Sequence, residues 1–140
     1  MIDLNDRFIL KTEKKNNNIL RYILKGVGIS FLVTMLLLLI LSLVLTYTSV
    51  SESICDIGIL VITGISILIG SSISNYNIGN KGIINGGISG GIYIVVLYFL
   101  SSIVTSDFTV GTNSFPMIIV GIVCGIFGGI FGVNINNKKK

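Results

Sequence analysis

Residues 26–47 read GVGISFLVTMLLLLILSLVLTY, and no charged side chain falls anywhere in the 26 residues between Lys25 and Glu52. A hydrocarbon core about 30 Å thick is crossed by roughly 20 helical residues at 1.5 Å rise each, so this stretch can span a bilayer with a few residues to spare. Within it, residues 35–41 (MLLLLIL) are apolar on every face. That is the pattern of a helix surrounded by lipid or protein, not of an amphipathic surface helix. A membrane β-strand would alternate over about ten residues. The run is longer and does not alternate, so its backbone hydrogen bonds must close within an α-helix.

Three more charge-free intervals follow: 24 residues between Asp56 and Lys81, 25 between Lys81 and Asp107, and 30 between Asp107 and Lys138. The chain therefore reads as one all-α membrane domain, a polytopic antiparallel bundle of four transmembrane helices. The spans fall at about 26–47, 54–74, 82–104 and 115–134, after a leader (1–25) and before a basic tail (135–140). With 51% hydrophobic and 11% charged residues, the composition is too apolar for a soluble domain.

The ten basic residues sort by position rather than forming a nucleic-acid-binding face. Arg7, Lys11, Lys14, Lys15, Arg21 and Lys25 precede the first span, Lys81 lies between the second and third, and Lys138, Lys139 and Lys140 close the chain. The segments after spans one and three carry Glu52, Asp56 and Asp107 and no basic residue. By the positive-inside rule the chain is a multi-pass protein of the cell membrane with both termini and the middle loop cytoplasmic. Arg21, Lys25, Lys81 and Lys138–Lys140 are then topology anchors, a basic rim beside anionic lipid, in preference to specific phosphate contacts. The lipid bilayer is the expected partner, with a homo-oligomer or other membrane subunits, and no nucleic acid.

A signal peptide fits poorly: the apolar run exceeds the usual 7–15 residue h-region, and a chain without alanine has no A-x-A cleavage site. Span one is expected to be retained. Asn18 is a capping residue type before Ile19, so the first helix is expected to begin there, ahead of the membrane. Thr112, Asn113 and Ser114 are capping types before span four, with Pro116 in its first turn. The short connections predict that consecutive helices pack as neighbours. Cys55 and Cys124 fall at different depths and read as packing residues, an intermolecular Cys55 pair being the alternative.

The chain has 17 glycines and no alanine. Alanine would favour a helix by about 1 kcal/mol over glycine, so glycine in its place suggests positions that admit no Cβ. Gly82, Gly86 and Gly90 recur every four residues in span three, beside Gly87 and Gly91; Gly121, Gly125 and Gly129 do so in span four, beside Gly128 and Gly132. These small-xxx-small ridges let helix backbones approach closely in lipid. A cavity or gate is the functional alternative. Asn85 and Ser89 are intramembrane polar residues, expected to hydrogen-bond a facing helix more than to contact a ligand.

The stretch Gly79–Tyr93, GNKGIINGGISGGIY, resembles the K-G-x-x-x-G-G-x-x-G-x-x-Y signature of the YrzE-like family, small four-span membrane proteins of spore-forming Firmicutes. Residues 121–134 look like that family's closing G-G-x-x-G-x-N element, while Ile83 stands where the family often has an aromatic. The resemblance covers essentially the whole chain and implies a membrane protein without an assigned activity. It also implies a gene neighbourhood shared with a small translocase accessory subunit.

An enzyme is not expected. The chain has no histidine, and its acids lie at helix ends, so neither a nucleophile–base pair nor a metal cluster assembles within the spans. No cofactor or metal is expected. A coupled transporter would want an ionisable residue inside a span, and none lies clear of the interfaces. The expectation is a structural or interaction subunit, accessory to a membrane complex such as the protein translocase, with a homo-oligomeric small-molecule transporter or channel as the alternative.

Overall fold

A computed structural model describes residues 3–106 and 114–140. They form four α-helices: α1 (Leu4–Tyr47), α2 (Glu52–Ile78), α3 (Gly82–Thr105) and α4 (Ser114–Lys138). All four are long and apolar enough to cross a membrane.

α1 has 44 residues and is about 66 Å long at 1.5 Å per residue, roughly twice the hydrocarbon thickness. Its start corrects the reading of Asn18 as a cap: the cap is Asp3, whose carboxylate accepts from Leu4 N at 3.2 Å, and Asn18 lies inside the helix. Three asparagines lower helix propensity by a few tenths of a kcal/mol each. They do not break the backbone, and neither proline nor glycine interrupts residues 4–25. Asp6 adds a negative charge to the first turn, where the helix dipole favours one. Thr112 and Asn113 lie outside the described residues; Ser114 opens α4 and Pro116 falls in its first turn.

α2 ends at Gly79, which takes φ +73° and donates its N–H to Asn75 O at 2.9 Å. This left-handed cap suits a residue without a Cβ. Asn80 and Lys81 complete a three-residue turn into α3.

α2 holds the centre of the bundle, with α1 on one side and α4 on the other, and α3 packs on α4. Chain neighbours are thus not uniformly spatial neighbours: α2 and α3 share only a small contact despite their short turn, while the α2–α4 interface is the most extensive. Gly128 and Gly132 explain the difference, because they let α4 lie on the α2 backbone at Leu68 and Ser72.

The interior reverses the soluble pattern. Ile23, Val27, Ile67 and Tyr93 are the buried hydrophobic residues, whereas Ser30, Thr34, Thr63, Ser66, Ser71, Ser74, Asn75, Asn85, Ser89 and Ser102 are buried polar ones. Leu36, Leu39, Leu43, Ile57, Phe99 and Phe131 point outward. Where lipid surrounds the bundle, bulky apolar side chains lose nothing by facing out, and the interior goes to groups that permit close approach or hydrogen bonding.

Candidate functional site

The glycines of α3 and α4 meet in sequence. A Cβ added at Gly82 would strike Gly129 O; at Gly86, Gly125 O; at Gly90, Gly121 O. The reverse holds for Gly125, whose Cβ would fall 2.5 Å from Gly86 O, and for Gly129 against Gly82 O. Backbone touches backbone at all three levels, a geometry that brings Cα–H groups toward carbonyl oxygens and gains dispersion without side chains.

The other ridge glycines divide differently. Gly128 and Gly132 face α2: a Cβ at Gly128 would lie 2.5 Å from Leu68 O, and one at Gly132 would strike Ser72 O. Gly121 also accommodates Ile94, and Ile67 lies 3.4 Å from its Cβ position. Gly87 has only Ile126 at 3.5 Å, and nothing lies within 4 Å of the Cβ position at Gly91. Those two sit beside the contact ridge without forming it.

A third glycine contact joins α1 to α2. Cβ atoms at Gly26 and Gly70 would each collide with the other's carbonyl, at 2.7 and 2.5 Å, and Ser74 and Ser30 close in from the sides. The sequence reading missed it, although the signal is present: Gly26, Ser30 and Thr34, and Ser66, Gly70 and Ser74, carry the same four-residue spacing. Serine and threonine made these ridges less visible than runs of glycine.

Three hydrogen bonds join α2 to α4. Ser71 Oγ donates to Gly125 O at 2.7 Å, Ser72 Oγ to Gly128 O at 2.9 Å, and Asn136 Nδ2 to Tyr76 O at 2.9 Å. Lys139 stands 5.7 Å from the centre of the Tyr76 ring, within cation–π range. Asn85 does not bond a facing helix: its Nδ2 donates to Asn80 O at 3.0 Å, because the left-handed backbone at Lys81 (φ 50°) turns that carbonyl back toward α3. Ser89 Oγ is buried without a partner, as are Ser74 Oγ and Asn75 Oδ1. Asn75 Nδ2 donates to Ser71 O at 2.8 Å.

Deeper along α1 and α3, the buried Tyr93 hydroxyl and Thr34 Oγ1 are hydrogen-bonded, and Thr34 also donates to Ser30 O at 2.8 Å. Tyr93→Phe is expected to lower stability by about 0.6 kcal/mol, the average for a polar contact between membrane helices. Thermal unfolding in detergent checks it. A loss much above about 2 kcal/mol would mean that the hydroxyl does more than join α1 to α3.

The anchor residues Arg21, Lys25, Lys81 and Lys138–Lys140 are all exposed. Cys55 and Cys124 are free thiols, and Cys124 Sγ lies against Gly64 of α2. Among the described residues, no group of three His, Cys, Asp or Glu side chains could hold a metal ion. Near the α2–α3 turn, a cleft of about 630 Å³ opens between the leader part of α1 and the bundle.

The family model described as "Protein of unknown function (DUF3792)" matches residues 19–132. The match covers most of the chain, from the approach to the first span through Gly132, and the chain belongs to that family. No curated protein and no solved structure matches it.

Proposed function

We propose that this DUF3792 member is a non-enzymatic, multi-pass protein of the cell membrane that serves as a structural or interaction subunit. Its helices run antiparallel, with both termini and the α2–α3 turn in the cytoplasm. The observation that carries the reading is the backbone contact between α3 and α4 at Gly82–Gly129, Gly86–Gly125 and Gly90–Gly121. A glycine strip filled by another helix backbone is cohesion, not the wall of a pathway. The part of α1 ahead of the bundle, residues 4–18, is exposed throughout and available to a partner.

The narrower kinship with the YrzE-like proteins belongs to the same reading, and it directs the search toward a membrane complex such as the protein translocase. Affinity capture of the tagged full chain from native membranes tests it. Recovery of translocase subunits is the expected result. An isolated homodimer that moves a solute in proteoliposomes would overturn it in favour of transport. The unpartnered buried oxygens of Ser74, Asn75 and Ser89 are what favour that second reading, since buried polar groups normally have a partner or ordered water.

Orientation has its own test. In a chain carrying Cys55→Ser and Cys124→Ser, single cysteines at 51–53 or 109–113 are expected to react with an impermeant thiol reagent applied outside the cell. Cysteines at 77–81 or beyond 136 should stay silent until the membrane is opened. Labelling of 77–81 from outside would sink the arrangement with both ends inside.

A further inference from the structure

The cleft beside the α2–α3 turn brings together two cations from distant parts of the chain. Lys15 reaches it from the leader part of α1 and Lys81 from the turn, 66 residues later. Neither ammonium makes an ion pair among the described residues, and no Asp or Glu lines the cleft. Asn80 and Asn85 supply amide groups, and the Asn85–Asn80 hydrogen bond of 3.0 Å holds the turn in place. Tyr22 and Ile78 line the same space, so its lining is cationic, amide-bearing and apolar together. The position matters as much as the lining: Ile78 is the last residue of α2 and Gly82 the first of α3, so the cleft lies where the apolar helices give way to the polar leader. Its volume of about 630 Å³ is in the range of small-molecule sites, roughly 300–1,000 Å³.

Two ammonium groups without counter-charges ask for an anion, and phosphate oxygens accept from lysine as from a point charge. The apolar lining at the membrane boundary asks for an amphiphile rather than a free ion. We propose that this cleft binds the phosphate headgroup of an anionic phospholipid, with Lys15 and Lys81 as the paired cations and Tyr22 and Ile78 against the start of the acyl chains. This goes beyond a diffuse basic rim. A rim draws anionic lipid in proportion to its total charge, whereas a built cleft depends on these two lysines and is indifferent to equal charge elsewhere.

Native mass spectrometry of the full chain in detergent, titrated with phosphatidylglycerol or phosphatidylcholine, separates the cases. Phosphatidylglycerol is expected to remain bound where phosphatidylcholine dissociates. The double variant Lys15→Gln, Lys81→Gln should weaken phosphatidylglycerol binding about 30-fold, and Lys15→Arg with Lys81→Arg should keep it. The control pair Lys138→Gln, Lys140→Gln removes the same charge from the tail, leaves Lys139 on Tyr76, and should change binding little. Equal retention of the two lipids, or equal loss in the tail variant, would overturn the proposal. So would displacement of the lipid by excess inorganic phosphate, which would make the ligand a soluble phosphate.

Discussion

Gly86→Leu and Gly125→Leu are each expected to destabilise the bundle by about 3 kcal/mol or more, read as a large fall in unfolding temperature in detergent. A Cβ at either position meets the carbonyl of the other, and the obstruction is backbone, which cannot rotate aside. Overpacking of a tight interior typically costs about 1–3 kcal/mol, and a leucine adds a whole branched side chain to that contact. Alanine gives the finer comparison. Gly86→Ala gains about 1 kcal/mol of helix propensity and is still expected to lose stability, because its one methyl group already collides. Gly91→Ala and Gly28→Ala add the same methyl where nothing lies within 4 Å, and they should raise stability by up to about 1 kcal/mol. The packing account fails if Gly86→Ala is as stabilising as Gly91→Ala. If both leucine variants proved as stable as the parent but blocked solute flux, the ridge would be a cavity wall.

Asn75→Asp is the second large effect. Asn75 is fully buried, and its Nδ2 donates to Ser71 O. Aspartate removes that donor and sets a carboxylate oxygen against the same carbonyl in a fully buried position. Leaving a buried charge uncompensated costs on the order of 3–5 kcal/mol, enough to threaten a fold of ordinary stability. Asn77→Asp makes the same chemical change two residues away on an exposed face, where Nδ2 bonds Ile73 O at 3.0 Å; under about 1 kcal/mol is expected there. Equal stability of the two variants would mean that water reaches Asn75, and the transport reading would gain its missing hydrophilic interior.

The four long apolar helices were legible because the physics that sets them is one-dimensional: a length of chain without charge is a count along the sequence, and Glu52, Asp56, Lys81 and Lys138 bracket the counts. The glycine strip at 82, 86 and 90 was legible for a similar reason, since helical periodicity places those residues on one face. Which helix that face meets is not written in the spacing. Gly128 and Gly129 are adjacent, yet one lies on α2 and the other on α3, because adjacent residues on a helix point about 100° apart. Gly91 has the spacing of a contact residue, but nothing lies within 4 Å of its Cβ position. The start of α1 was hidden for another reason: Asn16–Asn18 resemble a boundary, and only the Asp3 cap together with an unbroken backbone shows that the helix runs through them.

A strip that repeats every four residues has a further property: it is nearly unchanged by a slip of one turn. Were α3 to slide about 6 Å along α4, Gly82 would come opposite Gly125 and Gly86 opposite Gly121, and two of the three close contacts would form again. Such one-turn shifts are a known way for packed helices to exchange arrangements. Glycine therefore supplies cohesion without register. Register comes from features that occur once: Ser71 and Ser72 on the carbonyls of Gly125 and Gly128, Asn136 on Tyr76, and the Tyr93–Thr34 pair. None of these bonds joins α3 to α4 directly. Between those two helices the once-only mark is Ile94 seated against Gly121, and α1 and α2 add the hydrogen-bonded marks of a ruler along which the glycine strip is read.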